Sequence, residues 1–241
     1  MLKTIFNQAT QNIFIVVSAV YLLALIFLGK ASAMSILFAY FLETIIIGLF
    51  NALKMFWTLK FGMHKKNNAQ FAKYGIIIFF LFHYGFFVAI QSIFGFALFG
   101  IESTSVIKEP FHIIDNYRII LGLEDITYVL PAILFVHVGK FFLDFIKNKK
   151  YDVFTANEIM FKPYVRIFIQ QFVVIISFFF IVFGEAGIIA AVLLIIFRLI
   201  VDLTLESIKK DSKVLDIMAE KLANERVSKE EAKKQLISFT E

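Results

Sequence analysis

The side chains of this 241-residue chain that could do chemistry are a handful of ionisable groups embedded in long apolar runs. Glu43, Asn51 and Lys54 interrupt the run from Ser35 to Leu59, and His83, Gln91 and Ser92 interrupt a second. His137, Lys140 and Asp144 follow at i, i+3 and i+7, a spacing that aligns them along one helical face. Arg198 and Asp202, at i and i+4, can pair along their own helix. Groups of this kind are costly at membrane depth and normally face a protein interior or a water-filled cavity. The residue types permit the carriage of a proton or small ion, metal ligation by His83, His137 and Glu43, or hydrogen bonding that merely joins helices.

Each residue has a plainer reading beside the chemical one. Lys54 can snorkel to an interface, Lys140 can pair with Asp144, and Arg198 with Asp202 can be a structural ion pair. Asn51, Gln170 and Gln171 are common interhelical hydrogen-bonding residues. His64 and His112 read as surface histidines. Glu43, His83 and His137 are harder to dismiss, because none has an obvious partner within its own helix. On a helix turning about 100° per residue, Glu43 and Lys54 fall about 20° apart, and Asn51 about 80° from Glu43.

The elements that must position these groups are six expected spans of roughly 20 residues each. They run from Asn12 to Leu28, Ser35 to Leu59, Ile76 to Phe99, Ile126 to Ile146, Ile167 to Phe183, and Gly187 to Leu205. The Ala31-Ser32-Ala33 triplet imitates a signal-cleavage site, but the preceding apolar run is long and weakly basic at its start, so the first span is expected to be retained. Lys60, Lys65, Lys66 and Lys73 lie between spans two and three, and Lys147, Lys149, Lys150, Lys162 and Arg166 between spans four and five. The alternate loops hold fewer basic residues, which puts both termini in the cytoplasm by the positive-inside rule. At 1.5 Å per residue, Glu43, His83, His137 and Arg198 come out near mid-membrane. Asn51, Asp144, Gln170, Gln171 and Asp202 fall in the cytoplasmic half, with Lys54 near its boundary. The expected pocket therefore opens toward the cytoplasm.

Composition supports these elements. Sixty per cent of the residues are hydrophobic and 32 are Phe, gathered in runs of spanning length rather than in stripes. The absence of Cys excludes disulfides, thiolate zinc and Cys nucleophiles. The net charge of +5 sits in particular loops and without a nucleic-acid motif, so it reads as topology and not as nucleic-acid binding. The external segment from Ile101 to Asp125 is net acidic, and its FHIIDNYRIIL portion has the rhythm of an interfacial helix. Tyr151 to Pro163 is a second interfacial candidate. Residues 1–206 thus form the membrane domain, and 207–241 a charged amphipathic cytoplasmic tail. Ser228-x-x-Glu231 opens the tail's last helix as a capping box. The tail can pack on the cytoplasmic loops or pair with a second copy, giving a homo-oligomer.

FLETIIIGLFNALKM, FHYGFF, FVHVGKFFLDFI, MFKPYVRI and FRLIVDL, in that order, resemble an uncharacterised integral-membrane family of bacteria and archaea, domain of unknown function 6498. The resemblance covers about Leu37 to Glu206 and rests on order and spacing rather than on one motif. It implies emphasis on Glu43, Asn51, Lys54, His83, His137, Pro163, Tyr164, Arg166 and Asp202. A further His often follows the Pro-Tyr-x-Arg element in that pattern. This chain has Gln170-Gln171 there, which weakens a three-histidine metal site. The family brings no activity and no cofactor.

The fold expected is all-α: a polytopic membrane protein of six transmembrane helices, both termini inside, with a cytoplasmic helical tail. The reading of its function is a small transporter-like protein whose inward-facing pocket, formed by Glu43, Asn51, Lys54, His83, His137, Asp144, Arg166, Arg198 and Asp202, binds an ion, proton or small polar ligand. One alternative is a membrane-embedded hydrolase or transferase, with or without a metal, acting on a lipid. No HExxH or HxxxH pair sharpens it, two histidines could equally ligate a haem, and Ser92 and Ser177 have no neighbouring base. The other is a structural membrane subunit whose polar groups only hold helices together.

Overall fold

A computed structural model describes residues 9–63, 70–99, 107–183, 187–208, 213–223 and 227–240. The elements among the described residues are all helical: α1 (Ala9–Phe27), α2 (Ala33–Phe61), α3 (Gln70–Phe99), α4 (Ile113–Leu121), α5 (Glu124–Gly139), α6 (Lys150–Val153), α7 (Ala156–Phe183), α8 (Gly187–Ile208), α9 (Lys213–Leu222) and α10 (Lys229–Thr240). A π-helical segment, Lys140–Ile146, continues α5. Among the described residues, Met34–Phe61, Tyr74–Ala97 and Glu124–Ile146 are long and apolar enough to cross a membrane, and Ile13–Phe27 is a shorter apolar helix.

Everything is arranged around α2. It packs against α3, α5, α7 and α8, while α1 closes the bundle against α5 and α8. Accordingly 72% of the apolar stretch of α2 is buried, against 22% of that of α3, which lies at the edge. The helix starts where Ser32 and Ser35 form a reciprocal cap, Ser32 Oγ accepting from Ser35 N at 3.1 Å and Ser35 Oγ from Ser32 N at 2.9 Å. The Ala-Ser-Ala triplet is therefore part of a helix start. Two glycines let α3 come close. A Cβ on Gly48 would stand 2.3 Å from the Tyr84 ring, and one on Gly95 2.3 Å from that of Phe41.

Two apolar cores are stacked along α2. The first gathers Ile36 to Leu42 with Leu22, Leu25 and Ile26 of α1, Ile126, Val129 and Ile133 of α5, and Ile195 of α8. The second gathers Met55 with Phe80 and Tyr84 of α3, Phe141 and Phe145 of the π segment, and Ile159 and Met160 of α7. Burial of these side chains supplies the packing energy at about 25 cal/mol per Å² of apolar surface. Glu43 falls where the first core ends.

The connections pair at opposite ends. Ser32 N, in the α1–α2 turn, donates to Asp125 Oδ2 at the start of α5 (2.9 Å), while Met63 N, after α2, donates to Asp152 Oδ1 in α6 (3.2 Å). The lysine-bearing connections after α2 and after the π segment thus share one end. At that end Lys149 takes a left-handed conformation (φ 51°), which reverses the chain into α6. Tyr151–Pro163 does not form one interfacial segment: α7 begins at Ala156, eleven residues before Ile167, and carries Pro163 inside it. α4 forms where the amphipathic FHIIDNYRIIL rhythm placed a helix. There Tyr117 OH meets Ser92 Oγ of α3 at 2.7 Å. Burial pushes the Tyr117 phenol up to about 12, against the opposing effect of the Ser92 hydrogen bond.

In the C-terminal part, α9 and α10 pack on each other and α10 lies against α7 and α8. Leu215, Ala219 and Ala232 are the buried contacts of this hairpin. Ser228 and Glu231 cap α10 reciprocally, with Glu231 N donating to Ser228 Oγ at 3.2 Å and Ser228 N to Glu231 Oε2 at 3.3 Å.

Candidate functional site

Glu43 is the centre of the buried polar cluster. Its carboxylate is brought to the interior by the same face of α2 that buries Tyr40 one turn earlier. One oxygen, Oε1, accepts from two helices at once: His137 Nε2 of α5 at 2.8 Å, and Arg198 Nη2 of α8. Arg198 also turns its Nε to Asp202 Oδ2, one turn along α8, at 3.4 Å. Its guanidinium carbon lies 4.4 Å from the centre of the Tyr40 ring. The side chains of Glu43, Asp202, His137 and Arg198 are 2, 6, 8 and 15% exposed, so these groups have left water, and the carboxylates and the guanidinium are held there by their pairing. Arginine suits this position because its planar fork can serve two carboxylates and stack on an aromatic face simultaneously, which an ammonium cannot.

A narrow cleft runs beside the cluster between α1, α2, α5 and α8. Ser18, Leu22, Tyr40, Val136, Arg198 and Asp202 line it, and it has room for about one water-sized group. Ser18 Oγ donates to the Ala132 carbonyl of α5 at 3.3 Å. Within this small space the arrangement can hold a proton, a water or a small ion. Among the described residues no three His, Cys, Asp or Glu side chains gather in a metal-ligating group.

His83 is not part of this cluster. Its Nδ1 lies 2.7 Å from Tyr164 OH of α7, and its ring is flanked by Phe79 at 5.3 Å and Phe87 at 5.2 Å between centroids. The candidate ligands His83, His137 and Glu43 therefore do not share one site. The position expected for span three is taken by α1, whose Ser18 lines the cleft, and by Tyr40.

The remaining candidates are dispersed toward the lysine-bearing end. Asn51 Nδ2 donates to the Ile159 carbonyl at 2.9 Å. That carbonyl is available because Pro163, four residues on, has no N–H with which to continue the helical ladder. Asp144 takes Lys150 Nζ at 3.1 Å and Asn148 Nδ2 at 3.3 Å. The shared face expected for His137, Lys140 and Asp144 is broken by the π segment that begins at Lys140, since its wider turn changes the angular step. His137 points to Glu43 and Asp144 to the Lys149 turn. Lys54 is half-buried with its Nζ 5.7 Å from the Phe145 ring centre. The side chains of Arg166 and Gln170, and all of His64, Lys65 and Lys66, lie outside the described residues.

Tyr40 and Ser18 are the site residues that sequence reasoning missed. Tyr40 carried a signal, an aromatic residue at i−3 from a buried carboxylate and hence on its face. Ser18 carried none, since a lone Ser in an apolar helix is uninformative. A model of a family of unknown function, DUF6498, matches residues 1–232. No curated protein and no solved structure matches the chain.

Proposed function

The chain belongs to the DUF6498 family of unknown function, and from that premise we propose a six-span membrane protein whose Glu43 cluster binds a proton, a small ion or a small polar ligand in the course of moving it across the bilayer. α1, α2, α3, α5 with its π segment, α7 and α8 are the six spans, both termini are cytoplasmic, and α9–α10 is a cytoplasmic hairpin. The observation that carries this reading is a carboxylate, an imidazole, a guanidinium and a second carboxylate buried together where three helices meet at mid-span of α2. Intramembrane ionisable groups gathered around a cleft are the expected make-up of an ion or proton pathway. The pairing of lysine-bearing connections at one end supports the orientation.

The test is ligand-dependent stability. Thermal unfolding of the purified chain is followed with monovalent cations, small anions and polar metabolites, from about pH 5 to about pH 9. The wild type should be stabilised by one of these conditions, and Glu43→Gln, which keeps the shape but removes the charge, should lose the response. A stabilisation that persists in Glu43→Gln overturns the assignment of the site. No response under any condition leaves a structural subunit. Stoichiometric metal lost in His137→Ala would instead favour a metal-dependent enzyme. A reporter inserted at Glu109 should be external and one fused after Glu241 cytoplasmic; a cytoplasmic signal at Glu109 overturns the topology.

A further inference from the structure

We propose that the ligand of this site is a proton taken up by His137, and that its arrival releases Arg198 from Glu43 on α2 and leaves it to Asp202 on its own helix. This rests on the reading above that the cluster is a binding site, and it names the species bound. Glu43 Oε1 faces two donors, so His137 Nε2 carries a hydrogen. In its neutral form the imidazole is only a dipole, and Arg198 supplies the countercharge of Glu43. A second proton on the ring makes the imidazolium a full cation at 2.8 Å from that oxygen. Glu43 then has its own cation, and Arg198 can be given up without leaving a buried carboxylate uncompensated.

Arg198 has a place to go. Its Nε already stands 3.4 Å from Asp202 Oδ2, at i+4 on the same helix, and the cleft lined by Ser18, Tyr40 and Asp202 adjoins it. The change breaks the α2–α8 tie and keeps the one within α8. Packed interiors favour such discrete alternatives over gradual deformation. The step balances simply: one proton enters, one positive charge is added at His137, and both return when the proton leaves.

The other groups do not offer themselves as the acceptor. From α2, His137 faces Glu43, with Tyr40 and Lys54 further along. From α8 come Arg198 and Asp202, and from its own chain Lys140 one turn on. Between residues 13 and 27, α1 brings no acid or base but Tyr21, whose hydroxyl donates to the Tyr128 carbonyl. On α4, Asp115 and Arg118 are paired with each other at the exposed end. Arginine does not deprotonate in proteins, and Glu43 and Asp202 both face its guanidinium, so the imidazole is the member of the cluster whose ordinary titration lies in the neutral range.

The experiment follows the imidazole nitrogen resonances of the four histidines in the full-length protein, assigned by single substitutions, together with emission from Trp57, the one tryptophan, on α2. His137 should take up a proton between about pH 5 and about pH 8, with Trp57 changing at the same midpoint. Glu43→Gln should weaken proton binding at His137 by about tenfold or more, one pH unit. Asp202→Asn should uncouple the Trp57 change from the His137 titration, whatever its midpoint; it serves also as the informative variant if Glu43→Gln does not fold. A His137 that keeps one protonation state throughout overturns the proposal. So does a titration unaltered in Glu43→Gln, a Trp57 signal indifferent to it, or a Trp57 change that still follows the titration in Asp202→Asn. Stabilisation by an inorganic cation with His137 silent removes the proton and leaves the broader site; loss of both removes the site as well.

Discussion

His137 and His83 stand at similar depth in their helices and look alike along the chain, yet the structure gives them opposite surroundings. His137 is buried against a carboxylate that also holds a guanidinium, inside the ring of α1, α2, α5 and α8. His83 is half-buried at the edge of the bundle, against one phenol and two phenylalanines. A neutral hydrogen bond to Tyr164 satisfies a ring nitrogen and requires nothing else. A charge pair at Glu43 requires every member, because removing one leaves another ionised in a medium that cannot solvate it. The depth of a polar residue thus says less about its role than the charge of what it touches.

The sharpest way to break this contrast is Glu43→Leu. It strands Arg198 beside Tyr40 and should lower stability by about 3–5 kcal/mol, read as unfolding in detergent. Glu43→Leu behaving as mildly as a change at His83 would end the distinction between the two regions. Gly48→Ala comes next, because its Cβ would meet the Tyr84 ring that sits beside His83 and whose hydroxyl donates to the Thr44 carbonyl at 2.7 Å. A cost of about 1–3 kcal/mol is expected from forcing α2 and α3 apart. The Glu43 cluster should keep its ligand response, since α3 contributes nothing to it. Tyr164→Phe removes one hydrogen bond at the edge, for about 0.5–1.5 kcal/mol, and should be silent in any assay of the cluster.

The smallest effect belongs to the hairpin, where the same kind of pair sits in water. Lys233 Nζ meets Asp216 Oδ1 at 2.6 Å. The hydrogen bond from Lys233 holds the Asp216 carboxyl below its ordinary 3.8, and that to Asp216 holds Lys233 above its ordinary 10.5. The depressed acid contributes fully above 3.8 and loses its contribution as pH falls through its lower folded value. The raised base contributes fully below 10.5 and loses it as pH rises through its higher folded value. Limited proteolysis of the hairpin should therefore be flat between those limits and increase outside them. Salt should weaken the protection, in contrast to the buried cluster. Protection that is flat at every pH would show that Leu215, Ala219 and Ala232 hold the hairpin without the pair.

Much of this protein was legible in its sequence because helix formation and burial in lipid are local properties. Apolar runs of spanning length place helices at α2, α3 and α5, and ionisable groups inside such runs mark Glu43 and His137 as residues that need partners. The capping serine at Ser228 and the amphipathic rhythm of α4 are equally local. Which helices become neighbours is not a local property. α3 packs on α2 at Gly48 and Gly95 and presents His83 to Tyr164 of α7, outside the cluster. The π segment after Gly139 turned Asp144 away from His137, and nothing in an i, i+3, i+7 count reveals a change of helical step. Asn51 found the Ile159 carbonyl only because Pro163 on another helix had freed it. The sequence by itself determined that a carboxylate, an imidazole and a guanidinium interrupt long apolar helices. Only the tertiary structure decided that they meet on one oxygen, because that choice depends on side-chain packing between helices distant in the chain.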